Sequence, residues 1–266
     1  MRKTLSSKAF VITSGKGGVG KTTTCANVGC ALAKLGNQVV LMDADIGLRN
    51  LDLVLGLEKR IVYDLVDLVE ERCQPRQALI RDKRVDGLFL LPASQTKEKE
   101  SVSEDQMRAV TRRLKSEFDV ILIDCPAGIE HGFRNAVAGA DEAIVVTTPE
   151  VSAIRDADRI LGMLGGRRAR LIVNRVRQEM VRTGDMLSVN DVAEILGREV
   201  IGAVPDDEEI IDTTNRGEPV VLDSSRRLAR LYTSIARRVL GEEAPLPVLE
   251  DGLWDRLRRL IGTKSS

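Results

Sequence analysis

Apolar residues fall in short, nearly unbroken runs along the chain, at 9–13, 38–42, 88–91, 120–123, 143–147, 170–173 and 200–204. A run that is apolar throughout, rather than alternating with polar positions, predicts a strand covered on both faces. Parallel strands joined by crossover helices meet that requirement. Helical patterns between the runs predict helices over 22–35, 103–115, 151–164, 189–196 and 226–240. Thr148 ahead of Pro149 and Glu150 has the form of an N-cap followed by proline at the first helical position, and Gly36 after Leu35 is a stop signal. The pattern predicts one α/β domain over residues 1–241, a mostly parallel twisted sheet with helices on both faces. A linker at 242–251 carries Pro245, Pro247 and several acids, and a short segment at 252–266 follows it.

A chain of 266 residues, 43% hydrophobic and 30% charged, can bury the core such a sheet needs. Forty basic and forty acidic residues cancel, so the overall field gives no reason to expect nucleic acid as a partner. The apolar stretch behind the basic start, Phe10 to Ile12, is too short for a signal-peptide core. No run approaches the roughly 18 to 20 apolar residues of a spanning helix. The body is therefore expected to be soluble and cytoplasmic. Cys25, Cys30, Cys73 and Cys125 show no C-x-x-C spacing, and the single histidine, His131, has no ligand-spaced companion, which argues against a sulfur or imidazole metal site.

Gly15-Lys16-Gly17-Gly18-Val19-Gly20-Lys21-Thr22 matches G-x-x-x-x-G-K-[ST] between a predicted strand and a predicted helix. Glycines let backbone N–H groups converge on phosphate oxygens, and the positive end of the following helix points at the same anions. Lys21 would reach the β- and γ-phosphates of a nucleotide, and the Thr22 hydroxyl would ligate Mg²⁺. The bland alternative is a glycine-rich turn with no ligand. Lys16 is not required by the general pattern and places a second cation beside Lys21, a repulsion that a polyphosphate relieves.

Asp43 and Asp45 stand at the carboxyl end of the second apolar run, where open α/β sheets bind ligands. They could also mark a solvated turn. The run at 120–123 ends in Asp124, the arrangement of a strand-end acid that acts on Mg²⁺ directly or through water. Capping is the alternative for Asp124. A guanine-specific enzyme would carry N/T-K-x-D after a late strand, and this chain has Asn174-Arg175-Val176-Arg177 there, so adenine is favoured.

On a helical wheel, Leu253, Trp254, Leu257, Leu260 and Ile261 gather within an arc of about 120°, with Arg256, Arg258 and Arg259 outside it. A short amphipathic helix of this kind can lie in an anionic headgroup layer, each arginine adding about 1 kcal/mol. Docking on the domain's own core is the alternative.

The K-G-G-x-G-K-T signature at 16–22 resembles that of the MinD/ParA family of deviant Walker A ATPases, and so do further stretches at 43–52, 80–83, 91–96, 126–130, 149–152, 155–161, 184–188, 217–220 and the terminal helix. The resemblance runs almost end to end and implies a P-loop NTPase fold, ATP and Mg²⁺ as cofactors, and a homodimer in the ATP state. It implies that Lys16 reaches the partner's phosphates, that Asp45 orients the attacking water and that Asp43 lies in the outer magnesium shell. It extends nucleotide contacts to Thr23, Asn174, Arg175 and Pro205; simple loop closure is the lesser alternative for Asn174 and the stretch from Pro205. It further implies an anionic inner-membrane surface, a MinC-like division inhibitor, a MinE-like activator, and a partner surface at Arg155, Asp156 and Asp158. Cys125 and the turn at 165–168 depart from some relatives. The rival functions are a DNA-binding partition ATPase, an ATP-dependent ligase on the same scaffold, and a non-hydrolysing scaffold.

Overall fold

The computed structural model describes residues 7–98, 101–129 and 131–245. Its strands are β1 (Lys8–Thr13), β2 (Val39–Asp43), β3 (Ile80–Arg81), β4 (Leu88–Leu91), β5 (Val120–Asp124), β6 (Glu142–Thr147), β7 (Ala169–Val176) and β8 (Val200–Pro205). They form one sheet in the order β3-β4-β2-β5-β1-β6-β7-β8. Every pairing is parallel except β3 on β4, which is antiparallel. The helices are α1 (Lys21–Lys34), α2 (Leu51–Val54), α3 (Leu65–Val69), α4 (Pro75–Ala78), α5 (Glu104–Leu114), α6 (His131–Ala138), α7 (Val151–Met163), α8 (Gln178–Thr183), α9 (Val189–Leu196), α10 (Glu208–Asn215) and α11 (Arg227–Val239).

The unbroken apolar strands are explained by two cores. Ala9 and Val11 of β1 face one hydrophobic cluster with α5, α6, α7 and α9, while Phe10 and Ile12 face a second with α1 and α11. Successive side chains of a strand point to opposite faces, so a sheet covered on both sides needs apolar residues at every position. Strand order reverses around β1, where β5 and β6 pair on its two sides. Ligands bind at such a switch point, outside the carboxyl ends of the strands.

Gly36 follows the α1 C-cap in left-handed backbone, φ 92°, and ends that helix as its sequence indicated. The helix expected over 151–164 starts where expected, but the cap reading of Thr148 and Pro149 fails. The helix begins at Val151 with Glu150 in extended backbone at the cap position, so Thr148 and Pro149 lie outside it. Strand β6 runs to Thr147, and a residue before proline is held away from helical angles, so the chain leaves the sheet through Thr148 and Pro149 before it turns. The first residues of the expected linker lie on α11: Ser234 Oγ donates to Pro245 O at 2.8 Å, and Arg238 Nη1 to Ala244 O at 2.6 Å. Leu253, Trp254, Leu257, Leu260 and Ile261, with the rest of the expected amphipathic segment, lie outside the described residues. Among the described residues no helix is long and apolar enough to cross a membrane.

Gly202 marks where β8 and α11 pack most closely, since a Cβ there would lie 2.6 Å from Ile235 Cγ1. Gly202→Ala is expected to lower stability by about 1–3 kcal/mol, the usual range for overpacking a closed core, read as a lower urea midpoint at unchanged slope.

Candidate functional site

The parallel register delivers the site. Asp43 ends β2, Asp124 ends β5, and the two are directly paired across the strands. Both carboxylates are buried, Asp43 at 0% exposure and Asp124 at 1%. Like charges held together out of water raise each other's cost of ionisation. Burial and the neighbouring Asp124 push the Asp43 carboxyl up to about 7, although backbone amides of Asp45 and Leu51 oppose the shift. Asp43 Oδ1 accepts from Asp45 N at 2.9 Å, and Oδ2 accepts from Asn50 N at 3.2 Å and Leu51 N at 3.1 Å.

The compensating cation is Lys21, the first residue of α1, 8% exposed. Its Nζ donates to Asp124 Oδ1 at 2.9 Å. Burial alone would lower the ammonium's pKa, but the charge and hydrogen bond of Asp124 outweigh it and raise Lys21 above the ordinary lysine range. Asp45 is also buried and adds to that field. The structure thus brings Lys21, Asp43, Asp45 and Asp124 to one mouth, with Thr22 and Thr23 half-buried beside them in the first turn of α1.

The glycine loop at 15–20 closes over this mouth. Gly18 and Gly20 have φ of 78° and 88°, a region where a Cβ is strained. No side chain caps the amino end of α1, whose N-cap is Gly20, so its first amides are presented for an anion. Around Gly18 an added Cβ would meet nothing within 4 Å, whereas one on Gly20 would overlap Asn174 Nδ2. The loop is therefore open on its outer face and braced on its inner one. Lys16 is exposed on the open face and has no ion-pair partner among the described residues.

Asn174 holds a loop, the alternative its sequence left open, and the loop is the distant phosphate cradle. Its amide nitrogen donates to Val19 O at 2.7 Å, so the residue expected to touch the base also pins the cradle. The tight fit of Gly20 against the same amide agrees with this, and neither contact is visible in one dimension. Arg175 follows in left-handed backbone, φ 55°, and is exposed, while Pro205 ends β8 half-buried. Arg155 and Asp158 are exposed on α7 and Asp156 is half-buried. Asp156 abuts the cradle: a Cβ on Gly15 would come within 2.6 Å of the Asp156 Cβ.

The residues fit a magnesium nucleotide. Two adjacent buried acids with one lysine leave negative charge for a divalent cation to neutralise. Among the described residues no three His, Cys, Asp or Glu side chains are grouped so as to hold a metal ion by themselves. The thiols have another place: burial raises Cys25 well above its usual range and pushes Cys30 and Cys125 up to about 12, which keeps all three protonated.

Comparison with known proteins gives a consistent result. Residues 10–220 match the model of the CobQ/CobB/MinD/ParA nucleotide binding domain. The septum site-determining protein MinD of Bacillus subtilis is 53% identical over 266 residues, covering 97% of this chain and 99% of its own length. In the MinC:MinD cell division protein complex of Aquifex aeolicus, a chain superposes with a TM-score of 0.84 at 50% identity, covering 90% of this chain and 98% of its own. The septum site-determining protein MinD of Pyrococcus horikoshii, complexed with Mg-ADP, superposes with a TM-score of 0.79 at 28% identity over 88% of this chain and 96% of its own.

Asp43 holds its proton more tightly in the fold than in an unfolded chain, where a carboxyl titrates near about 4. Its contribution to the stability of the unliganded protein is fully present below that range and is lost as pH rises through about 7. Urea midpoints measured from pH 5 to pH 8 should fall for the native chain, and Asp43→Asn should flatten the slope. An identical slope in the variant would remove Asp43 from the account.

Proposed function

The chain belongs to the MinD group of the CobQ/CobB/MinD/ParA nucleotide-binding family and is an ATPase with a role in cell division, and from that premise we propose that it acts as an ATP-dependent dimerisation switch at the inner membrane. The observation that carries this proposal is the divergence of the two loop lysines. Lys21 points inward to Asp124, while Lys16 stands exposed on the open face of the cradle.

In the proposed cycle the phosphates of ATP lie along the amides of residues 15–22. Lys21 turns from Asp124 to the β- and γ-phosphates, exchanging one anionic partner for another. Thr22 and Asp124 would hold Mg²⁺, with Asp43 behind them, and the bound ion supplies positive charge to the transferring phosphoryl oxygens. Asp45 holds the attacking water in line. Lys16 of one copy reaches the phosphates of the other, so hydrolysis requires two copies and ATP favours their union. Asn174, Arg175 and Pro205 border the base.

The output is membrane residence. The segment at 252–266 inserts the apolar face around Trp254 into an anionic leaflet, weakly for one copy and far more strongly for two. On the cytoplasmic face the dimer recruits a MinC-like division inhibitor over Arg155, Asp156 and Asp158, and a MinE-like activator ends the cycle. Contact between Gly15 and α7 supports this, because it joins the partner helix to the phosphate loop.

Lys21→Ala is expected to abolish ATP binding in calorimetry and to cost about 3–5 kcal/mol of stability, since it leaves Asp124 buried and unpaired. Adding Asp124→Asn should restore stability without restoring binding; recovered binding would refute the assignment. Lys16→Ala should bind ATP but release phosphate slower by on the order of a hundredfold, the scale of one lost transition-state donor. Unchanged turnover would exclude its action in trans. Co-sedimentation with anionic liposomes should show pelleting with a slowly hydrolysed ATP analogue, and not with ADP, only for a chain that retains residues beyond Asp251. Equal pelleting of full and shortened chains would end the membrane proposal.

A further inference from the structure

The connection between β3 and β4 carries an ion pair away from the phosphate loop, its acid buried and its arginine side chain 36% exposed. Asp82 is 1% exposed. Its Oδ1 accepts from Arg84 N at 2.8 Å and Arg84 Nε at 3.0 Å, and its Oδ2 accepts from Arg84 Nη2 at 2.7 Å. The fork so fixed reaches two carbonyls from distant parts of the chain. Arg84 Nη1 donates to Gly217 O at 3.0 Å, and Nη2 donates to Leu55 O. Leu55 is the C-cap of α2, and Gly217 lies in the turn after α10. Here the two backbones touch: a Cβ on Gly56 would lie 2.8 Å from Gly217 O, and one on Gly217 would lie 2.6 Å from Gly56 Cα. Both glycines have positive φ, 62° and 66°. One guanidinium therefore closes three loops at a point where no side chain could be inserted.

The far end of α2 meets the candidate site. Asn50 N and Leu51 N, at the amino end of this single turn, donate to Asp43 Oδ2. Leu51 and Asp52 are fully buried, so the turn is a strut about 6 Å long with little freedom to tilt. One end rests on the acid and the other on Arg84.

We propose that Arg84 is a positioning residue for Asp43: by fixing the carboxyl end of α2 against Asp82 and Gly217, it keeps the amides of residues 50 and 51 on the carboxylate and so sets the acid's aim at the metal side of the site. The proposal rests on the assignment of Asp43 to Mg²⁺ made above. Arginine is required because a carboxylate and two carbonyls at different angles need several donors in one plane, which a lysine ammonium does not supply. Partners that orient an acid behind a metal matter because small misalignments of a carboxylate weaken binding steeply.

The test uses the full chain with Arg84→Ala, Arg84→Lys, Asp82→Asn and Asp43→Ala, each first shown to unfold cooperatively. Hydrogen exchange without nucleotide should speed up by about tenfold at the amides of residues 50 and 51 in the three clamp variants, while amides of β1 keep their protection. In titrations of a fluorescent ATP analogue against Mg²⁺, the same variants should need about tenfold more Mg²⁺ for half-maximal binding, the size of a lost orienting partner, with nucleotide affinity at saturating Mg²⁺ little changed. Arg84→Lys keeps a charge beside Asp82 and guards against loss of folding, and it should fail to rescue either readout. If Asp43→Ala raises the Mg²⁺ requirement and the Arg84 variants alter neither exchange nor requirement, the positioning role is wrong and the metal role of Asp43 stands. If Asp43→Ala leaves the requirement unchanged, the metal assignment fails and this proposal with it.

Discussion

The organising constraint is the cost of holding two carboxylates side by side without water. Parallel pairing of β2 with β5 places Asp43 opposite Asp124 at the end of a sheet buried on both faces. Lys21 offsets part of that charge, and since it begins α1, the same contact fixes where the helix starts and where its amino end points. The glycine loop must then turn tightly between β1 and α1, with Asn174 bracing it from β7. Cradle, helix and acids are thus consequences of one electrostatic arrangement, which an added polyphosphate and divalent cation would complete.

Two routes lead outward from this centre. One passes through Gly15 to Asp156 of α7, which puts the loop in direct contact with the proposed partner surface. The other passes from Asp43 along α2 to Arg84 and the turn at Gly217. From that turn the chain continues into residues 220–222, whose carbonyls at Val221 and Leu222 are bound by Lys34 of α1, and then into α11. The body is therefore tied across both ends of α1.

Much of this was legible in the chain. Strands covered on both faces announce themselves as apolar runs, and the phosphate loop is recognisable because its glycines, lysine and threonine sit between a strand and a helix. Other parts were not. The antiparallel strand β3 has two residues, too few for any pattern. The single turns α2 and α4 have no periodicity to read: the amino end of α2 is held by the distant Asp43, and that of α4 by the Gln77 side chain on the Gln74 amide. Thr148 and Pro149 carried a good local cap signal, but the cap position falls to Glu150, one residue before the expected start at Val151. Asn174 and Arg84 act through carbonyls 155 and 133 residues away, and nothing in one dimension shows which backbone oxygen will lie beside a side chain.

The central claim is that a nucleotide gripped by the glycine loop decides whether two copies associate. Sedimentation velocity on the full chain with Mg²⁺ tests it most directly, comparing a slowly hydrolysed ATP analogue with ADP. The account predicts a dimer with the analogue and a monomer with ADP. A sedimentation coefficient that is the same with both nucleotides, at concentrations where both are bound, would contradict it.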